Sequence, residues 1–239
     1  MRRLAVFLLA MVGSIPWAPA AGPEGDEARF ARLREHMVTS QIAARGVRDT
    51  RVLEAMRTVP RHLFVPIEVR DQAYDDHPLP IGENQTISQP YIVGLMTELL
   101  DLRDGDHVLE VGTGSGYQAA VLAAMGCKVY TIEIRAPLAA EAERRLATLG
   151  VANVVVRSGD GYGGWPQAAP FAAIIVTAAP DRVPEPLLAQ LREGGRLVIP
   201  VGSFYQQLKV ITRSGATFTE RDVIPVRFVP MTGEVERRP

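Results

Sequence analysis

Cysteine is nearly absent from this chain: Cys127 stands alone, which excludes an intrachain disulfide and a thiolate zinc cluster. Histidine is scarce as well, and His36, His62, His77 and His107 show no H-x-x-x-H or comparable ligand spacing, so no metal is expected. No run of Lys and Arg exceeds two residues and the formal net charge is -1, which removes the positive footprint that sequence-independent nucleic-acid binding requires. No apolar run approaches the roughly 20 residues of a membrane span, so stable membrane insertion is not expected. Internal repeats and low-complexity tracts are missing too. Cys127 itself sits among Ala, Met and Gly just before a strand candidate, the setting of a buried, inert thiol.

What is present suits one main globular domain with an appendage: 239 residues, 47% apolar and 22% charged, are enough to bury a full core. The N-terminus departs from the rest. Arg2-Arg3 precedes an apolar run from Leu4 to Ile15, followed by Pro16 and Ala18-Pro19-Ala20, the layout of a secretory signal peptide cleaved after Ala20. Residues 1–20 therefore read as signal-like, with a plain apolar extension as the alternative.

Beyond a linker from Gly22 to Asp26, Phe30, Leu33, Met37, Ile42 and Ala44 recur at nearly helical spacing as far as Gly46, a C-terminal stop. Asp49 is placed to cap a second helix carrying Val52, Leu53, Met56 and Val59, closed by Pro60. From Pro66 to Pro90 no period is visible, and a connection of that length is expected to be functional. A helix then runs from Pro90 to about Leu100. Strand candidates follow at His107–Val111, Lys128–Glu133, Asn153–Arg157, Phe171–Thr177 and Arg196–Val201, alternating with helices near Ser115–Met125, Ala136–Leu149 and Pro184–Arg192. Such alternation implies an α/β, doubly wound, mostly parallel sheet. Gln207–Thr212 and Thr217–Phe228, with Ser214-Gly215 between them, predict a C-terminal β-hairpin.

Gly112, Gly114 and Gly116 follow the first of these strands and open a helix, where a parallel sheet binds its ligand. Glu133, ending the next strand, is placed to accept hydrogen bonds from both hydroxyls of a ribose. A nicotinamide site would show G-x-G-x-x-G, but here Tyr117 stands where the third glycine belongs. Glu110 would repel a pyrophosphate and suits a cationic ligand such as the methionine moiety of S-adenosyl-L-methionine. Asp160, in Ser158-Gly159-Asp160-Gly161 after the third strand, is placed to accept from an adenine amino group, with Gly161 beside it. Each acid alone reads equally well as a solvated loop carboxylate; together with the glycine turn they point to an adenosyl cation.

Several segments carry a resemblance: Val59-Pro60-Arg61-His62-Leu63-Phe64-Val65-Pro66, Pro78-Leu79-Pro80-Ile81-Gly82, Gln85-Thr86-Ile87-Ser88-Gln89-Pro90-Tyr91, Glu110 to Tyr117, Gly159-Asp160-Gly161-Tyr162, and Gly194 to Gly202. From about Arg32 to Val235 the chain resembles the protein-L-isoaspartate(D-aspartate) O-methyltransferase family, most specifically in Thr-Ile-Ser-Gln-Pro. The resemblance implies a seven-stranded Rossmann-like methyltransferase sheet with an N-terminal helical addition. It implies S-adenosyl-L-methionine as cofactor, S-adenosyl-L-homocysteine as product, and isoaspartyl peptides and damaged proteins as partners. It makes Ser88 the catalytic or substrate-orienting hydroxyl, with Thr86, Pro200 and Val201 near the bound peptide. Residues 27–100 would then form the substrate side and residues 101–235 the cofactor-binding core, in a monomeric enzyme. Family and cofactor supply imply the cytoplasm, whereas the signal-like segment implies the periplasm or secretion.

A carboxylate acceptor is already a competent nucleophile, so the family's reaction needs neither a general base nor a metal. The methyl ester then closes to a succinimide by attack of the neighbouring backbone nitrogen, and hydrolysis returns part of it as normal aspartyl peptide. Ser88 has a second reading, as the cap of the helix that opens at Pro90. His62 and Phe64 read as packing residues. Trp165 reads equally as a pocket wall or as a surface-loop anchor.

Overall fold

The computed structural model describes residues 24–237; the signal-like residues 1–20 lie outside them. Helix α1 (Glu24–His36) continues through a π-helical turn, Met37–Ile42, and a tighter turn, Ala43–Arg45, to Gly46, whose φ of 100° ends the run as expected. Helix α2 (Thr50–Thr58) is capped by Asp49, whose carboxylate accepts from the backbone N–H of Arg51 at 2.8 Å and Val52 at 3.4 Å. Val52, Ala55 and Met56 are its buried face.

The aperiodic stretch contains what local pattern did not reveal. Strands β1 (Leu79–Gly82) and β2 (Gln85–Ile87) form an antiparallel hairpin, turned by Glu83 and Asn84 at φ of 50° and 56°. Strands of four and three residues are too short to display alternation. Helix α3 (Pro90–Leu99) follows directly.

The core is a seven-stranded sheet. Its strands are β3 (His107–Val111), β4 (Lys128–Glu133), β5 (Val154–Ser158), β6 (Phe171–Val176), β7 (Leu191–Val201), β8 (Gln206–Ser214) and β9 (Thr217–Val226). The order is β5-β4-β3-β6-β7-β8-β9, parallel from β5 to β7 and antiparallel through the β8–β9 hairpin. Helices α4 (Tyr117–Ala124), α5 (Ala136–Thr148) and α6 (Glu185–Ala189) make the connections. Strand β7 starts earlier and α6 ends sooner than expected. Gly194, at φ 70°, lies in an irregular stretch that lets Leu191 pair with Phe171 before the regular register resumes at Arg196.

Alternate residues of the central strands feed separate apolar clusters on the two faces. Val108, Ala173, Ile175 and Val198 join the cluster that includes the N-terminal helices, while Leu109, Val111, Ile174, Val176, Leu197 and Ile199 join the other. The chain leaves β3 toward β4 and β5, then returns to add β6 on the opposite side. The ends of β3 and β6 are therefore where the order of strands reverses, the position at which such sheets take their ligands.

Candidate active site

At that reversal the backbone turns on Gly112 with φ 98°. A Cβ there would lie 2.3 Å from Thr177 Oγ1, whose hydroxyl donates to the Gly112 carbonyl at 2.7 Å. Only glycine permits both the angle and the approach. Gly114 N–H donates to Glu133 Oε2 at 2.8 Å and Arg135 N–H to Oε1 at 2.9 Å, so one carboxylate ties the turn to the end of β4. An ionised carboxylate has about four acceptor sites, which leaves Glu133 capacity for two more donors. Gly116, at φ 88°, opens α4.

Glu110 lies beneath this turn on β3, fully buried. Thr131 Oγ1 donates to its Oε2 at 2.6 Å, whereas its Oε1 is buried with no partner among the described residues. Burial raises its pKa to about 8, the Thr131 hydrogen bond works in the opposite sense, and the Glu133 charge adds to the rise. Burial thus favours the protonated carboxyl over the carboxylate here. An orphaned acidic oxygen under a glycine cradle is what a cationic adenosyl ligand would satisfy.

Two adjoining clefts open here. The larger, about 620 Å³, is walled by Gly112, Gly114, Glu133, Gly161, Thr177 and Met231 among others; its neighbour, about 430 Å³, is walled by Ser88, Glu110, Ser115, Tyr117 and Gln118 among others. Thr86, Gly112, Gly114 and Thr177 belong to both walls. The β1–β2 hairpin thereby brings Thr86 and Ser88 onto the glycine turn, and Ile81 Cδ1 comes within 3.2 Å of where a Cβ on Gly114 would stand.

Residues 32–236 match the family described as protein-L-isoaspartate(D-aspartate) O-methyltransferase. The chain belongs to that family. It is 56% identical over 216 residues to protein-L-isoaspartate O-methyltransferase 2 of Shewanella sediminis, covering 90% of this chain and 88% of the relative. It is 50% identical over 230 residues to protein-L-isoaspartate O-methyltransferase 2 of Anaeromyxobacter sp., covering 95% of each. A solved protein-L-isoaspartate O-methyltransferase superposes with a TM-score of 0.78 at 30% identity, covering 84% of this chain and 67% of the other.

Within this family member, Ser88 does not cap α3. The cap position is Gln89, with no side-chain hydrogen bond, so the Ser88 hydroxyl stays free of that duty. Its backbone is held instead by Arg61, which donates from Nη2 to the Ser88 carbonyl at 2.8 Å and from Nε to the Ala73 carbonyl at 2.7 Å. Arg61 is wholly buried, and burial lowers its pKa to about 10. Its guanidinium carbon lies 4.9 Å from the centroid of the Tyr117 ring, which also meets Phe64 edge-on at 5.4 Å. Tyr117 therefore does more than displace a glycine: it fastens the N-terminal addition to the start of α4.

The remaining expected residues divide. Gly161 is on the cleft wall, and a Cβ there would fall 2.4 Å from Val111 Cγ1. Asp160 is exposed and not among the wall residues; its Oδ1 accepts from Tyr162 N–H at 2.9 Å and its Oδ2 from Glu234 N–H at 2.6 Å. Pro200 and Val201 end β7 on the same edge of the sheet but outside both walls. Trp165 is an anchor: its ring meets Tyr130 edge-on at 5.4 Å beneath the Arg157 guanidinium at 4.1 Å. His62 is stacked on Phe30 at 4.1 Å and hydrogen-bonded to the Tyr74 hydroxyl at 2.7 Å; burial, then Arg34 and Arg70, lower its pKa to about 4, so it stays neutral.

Sequence reasoning missed Arg61, Thr177 and the segment Val229–Thr232. Thr177 was legible as the residue ending a central strand. Val229–Thr232 was not, because it reaches the cleft through hydrogen bonds with Ala179, distant in sequence.

Proposed function

We propose that the chain is a protein repair methyltransferase, moving a methyl group from S-adenosyl-L-methionine to the side-chain carboxylate of L-isoaspartyl and D-aspartyl residues in damaged proteins. The meeting of Thr86 and Ser88 with the glycine turn carries this reading, since it joins an acceptor segment to a cofactor cradle within one pair of clefts. When bound, S-adenosyl-L-methionine supplies an electrophilic methyl on a sulfonium and is released as S-adenosyl-L-homocysteine. Gly112, Gly114, Gly116 and Gly161 let the backbone come close to it. Glu133 would receive the ribose hydroxyls on its free lone pairs, Glu110 would face the cationic methionyl end, and Asp160, next to Gly161, would accept from the adenine amino group.

Ser88 orients the acceptor carboxylate. A neutral hydroxyl holds the anion in line without quenching it, as a lysine would, and Thr86, Pro200 and Val201 confine the peptide around it. Residues 27–100 supply the acceptor side and residues 101–235 the cofactor side, in a monomer. Among the described residues no helix is long and apolar enough to cross a membrane. The supply of cofactor favours the cytoplasm over the export suggested by residues 1–20, and a mature N-terminus at Ala21 would reverse that preference.

Labelled S-adenosyl-L-methionine with matched aspartyl and isoaspartyl peptides tests the reading. Only the isoaspartyl peptide should be labelled; equal labelling would indicate a general carboxyl methyltransferase, and cofactor binding without transfer an inactive binding module. Ser88→Ala should lower transfer by about tenfold or more at nearly unchanged cofactor affinity. Loss of both together would contradict an orienting role.

A further inference from the structure

Phe204 and Tyr205 are each 96% exposed, far beyond any other large apolar side chain among the described residues. Single exposed apolar residues are commonplace, but two adjacent aromatic rings standing almost wholly in water are not. They sit on the short turn between β7 and β8, and that turn is built rather than loose. Gly202 takes φ 123°, and a Cβ on it would lie 2.1 Å from the Tyr205 carbonyl oxygen, so the backbone folds back on itself there and lifts Phe204 and Tyr205 outward. Gly202 N–H donates to the Pro180 carbonyl at 2.9 Å. At the other end the buried Gln206 amide bonds the Phe228 backbone in both directions, donating from Nε2 at 3.1 Å and accepting at Oε1 from N–H at 2.5 Å.

Both anchors lead straight to the cofactor cleft. Pro180 follows Ala179, whose N–H and carbonyl pair with Val229 and Met231; Ala178, Val229 and Met231 line the larger cleft. The aromatic pair therefore stands on the edge of the sheet where β3, β6 and β7 end, on a turn whose backbone is hydrogen-bonded to the segment that follows the cleft-lining residues Thr177 and Ala178.

We infer that Phe204 and Tyr205 form a docking ridge for the acceptor polypeptide, taking hold of an apolar side chain near the methylated residue. The inference rests on the acceptor being an isoaspartyl peptide, as proposed above. A carboxylate offers few contacts of its own, and a repair enzyme must accept many sequences. Rigid aromatic rings suit that need: they give a large contact area at small entropic cost and tolerate any apolar partner. Damaged, locally unfolded segments are the acceptors that present such side chains.

The test uses full-length protein and two isoaspartyl peptides of equal length, one flanked by Phe and Leu, the other by Ser and Gly. For the wild type, KM should be lower for the apolar-flanked peptide. The double variant Phe204→Ser, Tyr205→Ser should raise that KM about tenfold, equivalent to 1.4 kcal/mol, while leaving kcat, the KM for S-adenosyl-L-methionine and the KM for the Ser/Gly-flanked peptide unchanged. Equal KM values for the two peptides in the wild type would overturn the ridge, as would an equal loss on both in the variant. A concentration-dependent dimer in sedimentation that vanishes in the variant would also overturn it, assigning the rings to a contact between copies. Failure of the wild type to methylate either peptide would instead strike the repair reading itself, and the ridge with it.

Discussion

Glu110 is where charge and burial oppose one another most directly. Its neighbours on β3 are core residues, so the chain places an acid where the sheet requires an apolar side chain. An unfolded chain ionises this group near its ordinary value of 4.5, the folded protein near 8. Between those values the unfolded state has released the proton and the folded state has not, so stability falls as pH rises through that window. Glu110→Gln removes the burden. Without cofactor, the variant's melting temperature should exceed that of the wild type by a margin that widens from pH 5 to pH 8; a constant margin in thermal melts would show that Glu110 does not titrate as a buried acid. A buried acid with a raised pKa and an unpartnered oxygen fits the cofactor-facing role proposed for Glu110.

At the level of elements, the β1–β2 hairpin and α3 make up much of the acceptor side proposed above, yet neither is stable alone. Two short strands have no core of their own. They are held by Arg61, whose planar fork reaches the carbonyls of Ala73 and Ser88 together while its face lies against Tyr117 on α4. Lysine carries its donors on a single nitrogen and lacks the planar fork that reaches two separated carbonyls while lying against a ring. Arg61→Lys should therefore fold with stability reduced by about 1–3 kcal/mol. Its kcat/KM for peptide should fall while calorimetric affinity for S-adenosyl-L-homocysteine holds, because the displaced part is Ser88 and not the glycine turn. A matching fall in cofactor affinity would mean that Arg61 supports α4 rather than the acceptor segment.

For the whole molecule, cores on both faces enclose the central strands, and Cys127 is a probe of their integrity. Its thiol is 1% exposed at the start of β4, and burial pushes its pKa up to about 12. A thiol-reactive disulfide should thus label it slowly in native buffer, through opening of the fold. Saturating S-adenosyl-L-homocysteine, binding only the folded state, should slow labelling further by linkage. Rapid labelling insensitive to cofactor would reveal an independent local opening at the start of β4.

The α/β class, the glycine turn, the helix cap at Asp49 and the acids at strand ends were legible in the chain because each depends on residues close in sequence. Local spacing sets amphipathic period, φ-tolerant glycines and caps. The hairpin carrying Thr86, the grip of Arg61 on Ser88, the arrival of Val229–Thr232 at the cleft and the rise in the Glu110 pKa were decided only by tertiary structure. Each depends on groups distant in sequence, brought together by sheet order and by the exclusion of water between them. Asp160 marks the boundary: its position after a strand was readable, but its hold on the Glu234 N–H required the C-terminal segment to fold back across the site.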